Sequence, residues 1–151
     1  MVLDNPRLSP ILVRKYIKLA DQVVNNSDVL VDDVDLQIPV EAYQVLLLYV
    51  MMIASSATAT PDMDFAFLPP AGGTVRTLEL FDINNMAIGT DMTAEKLLPL
   101  SANVTDWQHF LVRYIGGATA GVLKFQWAQN VATAEDTKLH ANSFIVAVKI
   151  R

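Results

Sequence analysis

The chain has 151 residues and a mass of 16.6 kDa, the size of one domain or of one domain with an arm. Apolar residues make up 52% and charged residues 18%, with a mean hydropathy of +0.33, which excludes an intrinsically disordered chain. Its 11 basic and 16 acidic side chains leave a net charge of −5, which argues against grip on a phosphate backbone, and the absence of cysteine excludes disulfides, thiolate zinc sites and cysteine nucleophiles.

Residues 1–13, MVLDNPRLSPILV, hold Pro6 and Pro10, which disfavour a helix and favour an extended path. Leu8, Pro10, Ile11, Leu12 and Val13 make a stretch that reads either as a frayed terminus or, being apolar for a free tail, as an arm that binds a partner. The N-terminal MVLDNPRLSP lacks an apolar region after a basic start, so no signal peptide is expected. Asn25, Asn26, Ser27 and Asp28 form a turn cluster, because such side chains mimic backbone turn hydrogen bonds. Asp35–Val40 alternates, with Leu36, Ile38 and Val40 on one side and Gln37 and Pro39 on the other, as in a half-buried strand near a sheet edge.

Tyr43–Ile53, YQVLLLYVMMI, is an apolar run bounded by Pro39 and by the loop SSATATP. It reads as a central strand buried on both faces. The longest wholly apolar stretch, Val45–Ala54, has ten residues, against about 20 for a membrane-spanning helix, so no membrane span is expected. Asp62–Leu68 alternates again with Met63, Phe65 and Phe67 inward, and Pro69–Gly73 breaks the pattern. Thr74–Phe81 places Val75, Thr77, Glu79 and Phe81 on one side, and Leu78 and Leu80 on the other. Thr93–Leu98 fits either a short helix or a loop over the core. Asp106–Ile115 and Val122–Gln129 read as strands around the glycine-rich loop 116–121, with Leu123, Phe125 and Trp127 on one face. The last strand places Phe144, Val146, Val148 and Ile150 on one face.

About eight strands with closely spaced turns and little helix predict an all-β fold: an antiparallel, jelly-roll-like β-sandwich over 14–151, with an extended N-terminal arm over 1–13.

A search for chemistry finds little. His109 and His140 are the two histidines, too few for a zinc site without cysteine, and they read as hydrogen-bonded side chains on the sheets. The acidic group Asp28, Asp32, Asp33 and Asp35 lacks the glycine and the bidentate glutamate of a calcium loop and reads as solvated charge. Asp62 and Asp64 share a strand face and read as its polar side; a carbohydrate-active enzyme using them or Glu79 is the weakest reading. No G-x-S-x-G or S-x-x-K motif occurs, and the glycine pairs lack a phosphate-loop lysine. No enzyme activity and no cofactor are expected.

The C-terminal string GGATAGVLKFQWAQNVATAEDTKLHANSFIVAVKI resembles the closing segment of a family of small tailed-bacteriophage structural proteins. That family's "L-x-W-A-Q-N" strand is matched by Gly121, Leu123, Phe125, Trp127, Ala128, Gln129 and Asn130. Its final strand is matched by Ala141, Ser143, Phe144, Ile145, Val148, Lys149 and Ile150. The segment VRKYIKLADQVVNNSDVLVDDVDL is similar to the family's opening, and Asp64–Gly72 to its "D-F-A-F-x-x-P-A-G" stretch with Pro69 as an extra proline. The resemblance implies a virion component with a jelly-roll fold, often a trimer. The expected role is capsid decoration, with the major capsid protein and further copies of the chain as partners. No nucleic acid is expected as a partner, and the chain would be made in the host cytoplasm and located on the capsid surface. A tail or fibre head module is the alternative. The leftover apolar faces of 43–53 or 74–81 are expected to be buried between subunits, as in obligate oligomers.

Overall fold

The computed structural model describes residues 12–81 and 87–150, with only the backbone of Glu79, Leu80 and Phe81. Leu8, Pro10 and Ile11 of the expected arm lie outside the described residues. The described chain contains eleven strands and no helix. They are β1 (Val13–Ile17), β2 (Gln22–Val24), β3 (Val31–Val40), β4 (Val45–Ser56), β5 (Met63–Leu68) and β6 (Thr74–Phe81), followed by β7 (Lys96–Leu98), β8 (Thr105–Ile115), β9 (Gly121–Ala128), β10 (Thr137–Leu139) and β11 (Phe144–Lys149).

Their pairing defines the fold. β1 pairs with β11, β3 with β9, β4 with β8 and β5 with β7, all antiparallel. These four nested pairs are a long hairpin rolled around a core, which is the construction of a jelly roll. Further ladders join them into two sheets. Sheet A runs β1–β11–β4–β8–β6, and sheet B runs β3–β9–β5–β7. β6 is an additional strand on the free edge of β8. β10 pairs with the far end of β4 and with β2, so β2 and β10 continue the rows of β1 and β11 beyond a break.

Alternation decides which side chains meet between the sheets. Leu46, Leu48, Val50 and Met52 of β4 point inward, joined by Phe110, Val112 and Tyr114 of β8 and by Ile145 and Ala147 of β11. Leu36 and Ile38, Phe65 and Phe67, and Leu123, Phe125 and Trp127 face them from sheet B, as their spacing predicts. Phe65 stacks on Phe110 across the core at 5.4 Å between ring centroids and on its neighbour Phe125 at 5.8 Å.

Four expectations need correction. The run 43–53 is a central strand, but it is sealed on one face only; Val45, Leu47, Tyr49 and Met51 on the other are half-buried. Thr93–Leu98 is neither helix nor plain loop, since Lys96–Leu98 pairs with β5 as a strand. The alternation of 74–81 breaks because a bulge shifts the register between Thr77 and Glu79; Val75 and Thr77 are buried, whereas Leu78 is half-buried. The acidic group is not uniformly solvated, because Asp33 is fully buried.

Asp33 sits where β3 slips register against β9, between Asp32 and Gln37. Its Oδ1 accepts the backbone N–H groups of Asp35 (3.0 Å) and Leu36 (2.9 Å). Its Oδ2 meets Lys18 Nζ at 2.6 Å, with both side chains inaccessible to solvent. Lys18 lies in the break between β1 and β2, and its ammonium also donates to Gln22 Oε1 at 3.1 Å. Two local irregularities thus face each other, and the ion pair ties sheet A to sheet B along their shared edge. A buried charge is tolerated only when paired and hydrogen-bonded in this way.

At the opposite rim the loop 69–73 crosses the loop 116–120. A Cβ on Gly117 would stand 2.7 Å from the carbonyl carbon of Gly72, so close backbone approach requires glycine there. Gly72 itself has a φ of +79°.

Candidate functional site

The period-two rule that builds the core also builds the outer surface of sheet A. On β4 the outward residues are Val45, Leu47, Tyr49 and Met51, with Ile53 nearly covered. The register places Val148, Val146 and Phe144 of β11 beside Leu47, Tyr49 and Met51. On the other flank Ile115, Arg113, Leu111, His109 and Trp107 of β8 stand opposite Val45, Leu47, Tyr49, Met51 and Ile53. Beyond β11, β1 adds Val13, Lys15 and Ile17. The result is a continuous apolar field in which Trp107 is 64% and Val13 56% exposed.

The five strands β1, β11, β4, β8 and β6 have 5, 6, 12, 11 and 8 residues, and at about 4.8 Å spacing and about 3.3 Å rise they cover roughly 670 Å² in plan. That is near the ~800 Å² that each partner contributes to a standard protein interface. The three central strands β11, β4 and β8 cover roughly 460 Å² in plan, within the ~300–600 Å² of the largest apolar patch on a typical monomer, a patch that is often functional.

Polar groups stand around and within this field. Lys15 Nζ lies over the Phe144 ring at 4.4 Å from its centroid. Tyr49 contacts both Phe144 and His109 at 6.0 Å between ring centroids. Arg113 is exposed and makes no ion pair among the described residues, and Arg76, opposite it on β6, reaches the Gly89 carbonyl at 3.1 Å. The site is therefore an apolar sheet surface flanked by cations, of which Arg76 has the Asp91 carboxylate beside it.

Of the residues expected to bind a partner, Leu12 and Val13 are exposed at the start of β1. Leu12 accepts a backbone hydrogen bond from Lys149 at 2.9 Å. It lines a groove of about 160 Å³ between the edges of the two sheets, with Arg14, Ile38, Val40, Leu46 and the Lys149–Glu41 ion pair (2.7 Å). The Lys149 ammonium holds the Glu41 carboxyl below its usual range.

A second polar cluster lies at the β10 end of the same outer surface. Ser55 Oγ is 2.8 Å from His140 Nε2, and His140 Nδ1 is 3.4 Å from Asp21 Oδ2. Lys138 pairs directly with Ser55 across the strands, and both line a cleft of about 270 Å³. Asp21 is held below the usual carboxylate range chiefly by the Ala141 N–H that it accepts at 2.8 Å, with His140 and Lys138 adding to the effect. Sequence reading could not find this cluster, because Asp21, Ser55 and His140 meet only through β2–β10–β4 pairing. Asp62 is occupied as acceptor of the Leu100 N–H (2.8 Å), and Asp64 as acceptor of the Asn130 amide (3.0 Å). No group of three or more His, Asp or Glu side chains among the described residues could hold a metal ion.

No protein-family model and no curated protein matches the chain. Among solved structures it is similar to the infectious bursal disease virus Gt strain structure, at 9% identity over 99% of this chain and 45% of that chain, with a TM-score of 0.35. The Gx strain structure gives 12% identity, coverage of 99% and 44%, and a TM-score of 0.32. The crystal structure of the infectious bursal disease virus VP2 subviral particle gives 11% identity, coverage of 99% and 44%, and a TM-score of 0.30. The chain spans less than half the length of these neighbours. The overlap is loose, and the jelly-roll topology rests on the strand pairing described above.

Proposed function

We propose that the chain is a structural protein of a tailed-bacteriophage virion, a capsid decoration protein that binds the outer capsid surface and stabilises contacts between capsomers. The observation that carries this reading is the open outer face of sheet A. It approaches the size of a standard interface, and its centre is a contiguous apolar patch of the size that is often functional. Cementing needs buried surface rather than chemistry, and the small-residue loops 55–61 and 116–121 carry no aromatic anchor of the kind a receptor-binding tip uses.

In this reading the chain is made in the host cytoplasm and resides on the capsid surface, with the major capsid protein as its partner. Leu8, Pro10, Ile11, Leu12 and Val13 form the arm that reaches the shell. The resemblance to small phage structural proteins supports further copies of the chain as partners, arranged as a trimer.

The test is to add purified protein to capsids that lack it and to locate it by electron cryomicroscopy. Decoration requires hundreds of copies spread over the shell, and removal of residues 1–11 should lower occupancy. Density at the tail alone, in tens of copies or fewer, would replace decoration by the tail-module reading. No density on the particle would overturn both.

A further inference from the structure

The charges around the outer face of sheet A restrict what can cover it. Among the described side chains of this face, Lys15, Arg76, Arg113 and Lys138 are cationic. Asp91, bridged to Arg76 beyond β6, and Asp21, beside Lys138, are its described acidic residues, which leaves Lys15 and Arg113 without an ion pair among the described residues. Cations thus outnumber acids on this face, whereas the chain as a whole carries −5. The other sheet has the opposite character: Asp32 and Asp64 stand on the outer side of β3 and β5, and Lys124 is already paired with Asp32 at 2.6 Å.

We propose that the outer face of sheet A docks a protein surface that is apolar at its centre and carries carboxylates opposite Arg113 and Lys15. The same face of a second copy does not fit. Two such faces packed together would bring both sets of cations into one contact, and like charges juxtaposed across an interface disfavour association. This assigns the face to a foreign partner, whereas the apolar sequence alone suggested burial between subunits. The inference rests on the decoration reading, in which the carboxylate-bearing surface belongs to the capsid shell. The three-fold contacts of the chain with itself then use other surfaces.

The area argument and the charge argument are separate. The first says that the face approaches the size of a standard interface, and the second says which chemistry matches it. Trp107 supplies a readout, because the only other tryptophan, Trp127, is already buried.

Co-sedimentation with purified capsids lacking the chain, at increasing sodium chloride, tests the proposal. Wild-type affinity should fall as salt screens the cations, and Trp107 emission should shift to the blue on binding. Arg113→Glu should weaken binding by about tenfold or more. Lys124→Glu makes the same charge change on the outer face of sheet B and should change it by less than about twofold. Thermal unfolding of both variants checks that each remains folded. Equal effects of the two reversals, or affinity indifferent to salt, would overturn the proposal. So would a dimer of the free wild-type protein whose formation shifts Trp107 emission, since the occupant would then be a second copy. Wild-type protein that never binds capsids removes the decoration reading, and this inference with it; capsid binding that survives Arg113→Glu removes the inference alone.

Discussion

The outer faces of the two sheets are built by the same alternation and end in opposite states. On sheet B the outward polar groups satisfy one another: Lys124 Nζ and Gln126 Nε2 both donate to Asp32, at 2.6 and 2.8 Å. On sheet A, Leu47, Tyr49, Met51, Val146 and Val148 stand outward with cations beside them. The first face exposes Leu68, Leu97 and Val122 as well, but its Lys124 and Asp32 charges are paired. The second keeps a larger contiguous apolar area, and its Lys15 and Arg113 make no ion pair among the described residues. Fold stability therefore resides between the sheets, and interaction capacity resides on the outer side of one of them.

Neighbouring residues that point to opposite sides of a strand sharpen this contrast. The largest effect is expected at Asp33 and Asp32. Asp33→Ala leaves the buried Lys18 ammonium without its carboxylate, and urea unfolding should show a loss of about 3–5 kcal/mol. Asp32→Ala removes a half-exposed ion pair and should cost about 0–1 kcal/mol. Equal losses would mean that the inner pair is hydrated in solution.

Leu48 and Leu47 make the same comparison on sheet A. Leu48→Ala opens a cavity in the core and should cost about 2–5 kcal/mol. Leu47→Ala should cost less than about 1 kcal/mol in the free protein, because much of that side chain's burial awaits a partner. A large loss at Leu47 in the free protein would show that the outer face is already covered.

The smallest effect concerns pH. The Lys124 ammonium, followed by the Gln126 amide, lowers the pKa of Asp32 in the folded state. A lowered folded pKa contributes stability above the unfolded value of about 3.9, and that stability is lost as the pH falls through the folded value. The stability difference between wild type and Asp32→Asn should therefore shrink on going from neutral pH to about pH 3, within the ~1 kcal/mol range of surface pairs. A constant difference would show that the pair is not formed in solution.

Much of the fold was legible before the structure. Alternation in 35–40, 62–68 and 122–129 correctly placed Leu36, Ile38, Phe65, Phe67, Phe125 and Trp127 in the core. β1 and β2 went unseen, because VRKYI and QVV are short and gain order by pairing with β11 and β10. β7 escaped notice for the same reason, since its three residues form a strand only against β5. The face of β4 that remains open could not be read, because an unbroken apolar run has no period that marks inside from outside.

Composition and pattern determined an all-β, core-forming chain with more apolar surface than one core consumes, because hydrophobic content and two-residue periodicity are local properties. Only the tertiary structure decided where the surplus lies and what surrounds it. Lys15, Arg76 and Arg113 are far apart in the chain and reach one surface through β1–β11, β4–β8 and β6–β8 pairing. Asp33 and Lys18 likewise become an interior ion pair because two breaks in strand regularity face each other across the sandwich. Charge complementarity and burial depend on distances between elements, and those distances are set by the rolled hairpin.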